Sequence, residues 1–181
     1  MVLPAKGCNL SLIHISEPTR PRLISYAVFC LKKKIEQIKN IRFYLLNQID
    51  LLTAKQLNEI PGSFNNNVIW NLAHCISAQQ SICYVHAELP IVVDEKYYLP
   101  YRPSKKPENF IDSAEIGIIK ELFVTSIEQF QYDFEENLFD DYIPWMAKPY
   151  GVEISNINDA INFLTYHEGL HAGSILSLIH I

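Results

Sequence analysis

Histidines are the residues of this 181-residue chain best suited to chemistry, and their spacing sorts the six of them. His14 and His180 fall inside a hexamer, Leu-Ser-Leu-Ile-His-Ile, that occupies residues 10–15 and recurs at 176–181, and are set aside. His167 and His171 stand four apart. On a helix that spacing projects both imidazoles from one face, one turn apart, which suits chelation. Ile161, Leu164 and Ile175 share the pattern, so the face is expected to point inward. Buried imidazoles without partners are costly, and a metal ion would satisfy both.

A third ligand has to come from upstream, and His74 is the candidate. Ser77, Ala78 and Ser81 follow it one and two turns on, small side chains that leave room for a site. Three neutral imidazoles with an open fourth position describe a catalytic zinc site rather than a closed structural one. The same set suits nickel or iron(II), so residue types do not choose among Zn, Ni and Fe. His86, beside Ala87 and Glu88, reads as a solvated histidine.

The string His167-Glu168-Gly169-Leu170-His171 also matches H-E-x-x-H, the zinc-protease helix whose glutamate is a general base. The extended form of that motif needs glycine at 174 and histidine at 177, where serines stand. Too little chain follows His171 for a distant glutamate ligand, and Gly169 suits a helix interior poorly. A protease is thus a remote alternative. Glu168 reads either as a group that orients a ligand or accepts a proton, the catalytic candidate, or as a solvent-facing helix glutamate. The position after a ligand points away from the ligand face. Cys75 is rotated by about 100° from His74. Cys83 lies over two turns away and reads as a small core residue.

Long helices must position these groups. Ile35, Ile38, Ile41, Leu45, Ile49 and Leu52 recur every three or four residues and predict an amphipathic helix from Ile35. A short helical pattern over 53–60 stops at Pro61-Gly62. Asn65, Asn66 and Asn67 offer caps for a helix over 68–88. Residues 90–109 hold four prolines and cannot be one helix. Ser113 opens a third long helix, with Ile116, Ile119, Phe123, Ile127 and Phe130 on its stripe. An irregular stretch over 138–158 holds Trp145 and Tyr150, and Asn158-Asp159 is expected to cap the last helix. The fold class is all-α, a four-helix bundle with two long loops. Loops of that length in a compact domain usually carry function.

Trp70-Asn71-Leu72-Ala73-His74, followed some ninety residues later by His167-Glu168-Gly169-Leu170-His171-Ala172-Gly173, resembles the DinB/YfiT family of metal-dependent enzymes, which is distinct from the DNA polymerase of similar name. The order of helices and loops over about residues 35–176 is similar too. The resemblance implies one divalent metal held by His74, His167 and His171. It also implies an enzyme acting on a small electrophilic molecule, a transferase or related hydrolase. Characterised relatives include S-transferases that use bacillithiol, mycothiol or glutathione, and a mycothiol-dependent isomerase, so a low-molecular-weight thiol is the expected cosubstrate. A thiolate formed at the metal would attack the electrophilic carbon. The alternative from a different class is a non-catalytic metal-binding bundle with a structural, sensing or partner-binding role.

Residues 11–34 and the repeated hexamer resemble translated sequencing-adaptor DNA. Residues 1–34 are therefore expected to have no stable fold, residues 35–176 to form the domain with its last helix truncated, and residues 177–181 to be a foreign tail. Composition supports a folded chain, at 49% hydrophobic and 19% charged residues. Net charge is −5 overall. Because residues 1–34 hold six Lys and Arg against the single acid Glu17, residues 35–181 carry −10. That argues against nucleic acid as a partner. No apolar run approaches the about 20 residues that span a bilayer, so no membrane partner is expected. Four cysteines without a C-x-x-C pair suit a reducing cytoplasm. The expected partner is a small-molecule substrate, and a homodimer is allowed.

Overall fold

The computed structural model describes residues 20–181, the side chains of 20–25 and of Ala27 excepted. Five helices follow in order: α1 (Arg20–Ile49), α2 (Ala54–Asn58), α3 (Val68–Gln79), α4 (Ser113–Glu135) and α5 (Ile157–Ile179). A hairpin of two short strands, β1 (Trp145–Ala147) and β2 (Val152–Ile154), precedes α5. The four long helices close a ring in which α1 packs on α5 and α4, and α3 packs on the same two. The all-α expectation holds, with the hairpin added. Among the described residues no helix is long and apolar enough to cross a membrane.

Several boundaries differ from the sequence reading. Helix α1 starts at Arg20, within the segment expected to have no fold. Its apolar stripe reaches back to Leu31, which is buried, and Lys32 pairs with Glu135 of α4 at 3.2 Å. The first copy of the repeated hexamer, with His14, lies outside the described residues. The second copy continues α5, and Leu178 is buried where a foreign tail was expected. Asn67 caps α3 by accepting from the Trp70 amide, as the asparagine run suggested. Asn156, not Asn158-Asp159, caps α5, accepting the amides of both those residues at 2.9 and 3.0 Å. Helix α3 ends sooner than residue 88. It passes into a π turn over Gln80–Tyr84 and a 3-10 turn over Val85–Ala87, and Glu88 in the left-handed region (φ 56°) stops it.

Each loop is tied down. The 90–109 loop winds through 3-10 turns at Glu95–Tyr97 and Leu99–Tyr101, burying Tyr97, Tyr98 and Tyr101. Ser77 Oγ donates to the Tyr98 carbonyl at 2.8 Å and Ser81 Oγ to the Tyr98 hydroxyl at 3.1 Å. Asn58 holds the loop's far end by donating to the Ile111 carbonyl and accepting its amide. In the hairpin, Trp145 faces Ile154 and Ala147 faces Val152, and the turn closes on Gly151 at φ 63°, a conformation that favours glycine.

The interior consists of two apolar clusters with a polar layer between them. One cluster gathers Leu45, Ile69, Leu72, Phe123 and Ile175; the other gathers Ile38, Ile82, Ile127, Phe130 and Leu164. Between them Arg42 of α1 meets Glu168 of α5, both fully buried, with Nη2 to Oε1 at 2.5 Å and Nε to Oε2 at 3.3 Å. Arg42 Nη1 also donates to the Phe123 carbonyl and to Ser126 Oγ, and Gln79 closes the layer by donating to the Ser126 carbonyl. Glu168 is therefore not solvent-facing. Removing one partner of such a pair strands a buried charge, so Glu168→Ala should lower unfolding stability by about 3–5 kcal/mol in urea titrations. Replacing both together, Arg42→Met with Glu168→Leu, should stand well above either single change.

Candidate metal centre

His74 of α3 and His167 and His171 of α5 converge where the two helices pack. His74 is buried, the other two are half-buried, and one ligand nitrogen from each lies within 4.8 Å of the others. The ring centroids are 5.2 Å apart for His74–His167, 4.6 Å for His74–His171 and 4.5 Å for His167–His171. Among the described residues no fourth His, Cys, Asp or Glu joins the cluster. Cys75 and Cys83 are buried, and burial pushes both thiols upward, away from the thiolate a metal would need. The core stripe of α5 runs through Ile161, Leu164, Glu168 and Ile175. His167 and His171 thus lie at its border rather than within it, facing a cavity.

Hydrogen bonds set the tautomers. His74 Nδ1 lies 2.6 Å from the Tyr101 carbonyl oxygen, which can only accept, so Nδ1 carries the proton and Nε2 keeps a free lone pair. His171 Nδ1 lies 2.8 Å from Asn71 Oδ1, while Asn71 Nδ2 donates to the Asn67 carbonyl at 2.7 Å. The second bond fixes the amide orientation, so His171 also donates from Nδ1 and leaves Nε2 free. His167 Nδ1 is buried with no hydrogen-bond partner among the described residues. Burial lowers the basicity of all three rings. His167 falls to about 2, by desolvation and then by its neighbours His171, His74 and Arg42. His171 falls to about 4, by desolvation and then by His74. His74 shifts the same way for the same leading reason. Three neutral imidazoles, two with free lone pairs fixed by their tautomers and one with an orphaned buried nitrogen, fit a divalent metal.

The site opens on a cavity of about 680 Å³. Trp70 forms one wall, stacked on His74 at 4.8 Å with planes 10° apart. Trp145 and His86 form the far wall, stacked at 4.9 Å and 11°. His86 is therefore part of the cavity rather than a solvated end, and burial lowers its pKa. Glu168 is absent from the lining, its carboxylate being turned onto Arg42. That removes the ground for an H-E-x-x-H general base.

Sequence reasoning missed Asn71, Arg42 and the Tyr101 carbonyl. Asn71 had a signal, standing three residues before His74 on the same helix face. Arg42 had one too, at a core position of the stripe between Ile38 and Leu45.

The lowered histidine pKa values have a sign. Neutral rings are favoured in the fold, whereas an unfolded chain takes protons near 6.5. The stability this gives is complete above about pH 6.5 and is lost as pH falls, through about 4 for His171 and on toward 2 for His167. Metal-stripped protein should lose about 1.4 kcal/mol per pH unit for each such histidine below pH 6.5, read by urea titrations at stepped pH. A flat profile between pH 7 and 5 would contradict the neutral assignment.

No match is found among curated proteins. The sequence does match the family model of the DinB superfamily over residues 37–175, a span that takes in Arg42, Asn71, all three converging histidines and Glu168. With most of its length covered and the histidine cluster inside that span, the chain belongs to the DinB superfamily.

Proposed function

We propose that this protein is a metal-dependent enzyme whose His74, His167 and His171 hold one divalent ion, and that it joins a low-molecular-weight thiol, or water, to a small electrophilic molecule. The observation that carries this reading is the convergence of three neutral imidazoles on an open cavity with no fourth protein ligand among the described residues. A structural site is normally closed by four protein ligands, whereas catalytic sites keep a position free. When bound, the ion would supply Lewis acidity that lowers the pKa of a thiol or water.

The chain's own residues do the rest. The Tyr101 carbonyl and Asn71 Oδ1 hold two imidazoles with their Nε2 atoms unprotonated. Trp70 covers the face of His74 and limits solvent there. The aromatic walls bind apolar parts of a substrate. Glu168 acts as a positioning residue, fixing the rotation of α5 through Arg42.

Purified protein should carry about one divalent metal per chain by elemental analysis, and His74→Ala and His167→Ala should each lose it. Asn71→Ala should weaken metal affinity by about 10–100-fold while leaving the fold intact by circular dichroism. A screen of low-molecular-weight thiols against small electrophiles should show turnover that disappears with the metal. Full metal retention in both histidine variants would overturn the site. A metal-loaded protein that consumes no thiol and hydrolyses nothing would leave a non-catalytic bundle.

A further inference from the structure

The charge around the cavity is segregated in a way the metal does not explain. Three cations line it, Arg102, Lys105 and Lys148, and among the described residues no aspartate or glutamate does, although the chain is net acidic. Among the described residues none of the three has a carboxylate within 4.0 Å, a state shared with Lys33, Lys34, Lys55, Lys106 and Lys120; what sets the three apart is that they gather on one cavity. Arg102 is exposed at the cavity rim. Its guanidinium lies 5.6 Å from the ring centre of the buried Tyr98, which is itself bonded to Ser77 and Ser81 of α3 and its continuation. Arg102 also directly follows Tyr101, whose carbonyl bonds His74, so its backbone stands one residue from the contact that orients a metal ligand. The indole nitrogen of Trp70, which also lines the cavity, is buried without an acceptor among the described residues.

From these observations we infer that the cavity selects a small molecule with an acidic group, a carboxylate or phosphate, joined to a flat apolar body. The acidic group is held by Arg102 and Lys105 on the loop side, with Lys148 of the hairpin turn closing over it. The body lies against the Trp145–His86 stack. Arg102, Lys105 and Lys148 are all exposed, so their pull on an anion comes from three unneutralised charges sharing the rim of one apolar cleft, and it is screened by salt. The inference rests on reading the cavity as the substrate site and assigns what that site prefers.

Quenching of Trp70 and Trp145 fluorescence gives a direct test on the full chain, because both indoles line the cavity. The probes are 2-naphthoate, 2-naphthyl phosphate and the neutral 2-naphthamide, each titrated before and after metal removal by chelation. In the stripped protein at least one anion should bind about tenfold more tightly than the amide, a difference of about 1.4 kcal/mol. That lead should shrink with added salt and vanish in the double variant Arg102→Ala, Lys105→Ala. Equal affinity of anions and amide, no saturable binding, or a lead that survives the double variant would each overturn the inference. Metal content is measured on the same samples. An anion preference in protein that never holds metal would sustain this inference and sink the metal reading, and a loaded protein indifferent to charge would do the reverse.

Discussion

A buried carboxylate keeps its charge only where a cation and further donors meet it, and in this bundle the Arg42–Glu168 pair decides how α5 is turned. Glu168 sits at zero exposure in the layer between two apolar clusters. Once its carboxylate is committed to α1, the helical repeat rotates His167 by about 100° to one side, toward α3. His171 follows one turn later. The ligand face of α5 thus depends on an ion pair that never touches the cavity. Ser126 and Gln79 extend the same layer into α4 and α3, so all four long helices are keyed to one depth.

The long loops complete what the helices begin. Tyr101 belongs to a loop that is irregular in pattern, yet its carbonyl sets which nitrogen of His74 is protonated. The residues that hold this loop, Ser77 of α3 and Ser81 of the π turn that continues it, follow His74 by about one and two turns. One stretch of chain therefore carries a ligand and the fasteners of the segment that orients it. The π turn after Gln79 continues that helix at a changed angle, bringing Ile82 and His86 into the cavity wall. Such turns are common at functional sites because they re-aim side chains without ending a helix.

Much of this was legible in the residue pattern. The three-or-four periodicity located the long helices, the asparagine run located a cap, and the i, i+4 histidines with His74 located the cluster that the fold assembles. What escaped depended on contacts between distant segments. Glu168 could not be given a direction from α5 alone, since the position after a ligand points to solvent or to core according to what α1 presents. Arg42 sits in an apolar stripe as a lone charge, and only its partner explains it. The two short strands escaped because three-residue strands have no period to detect. The start of α1 at Arg20 is not legible where the segment before Ile35 resembles adaptor sequence, although Leu31 extends the apolar stripe by one turn.

Three imidazoles, each neutral and two with their Nε2 atoms free, should make a metal centre with an open position. X-ray absorption on the metal-loaded protein reads this directly, because it reports the identity and number of donors around the ion. The expected spectrum shows three imidazole nitrogens at about 2.0–2.1 Å, one further light donor that exchanges with added ligand, and no sulfur from the protein. A sulfur shell at about 2.3 Å in protein free of added thiol, or fewer than three imidazoles, would contradict it.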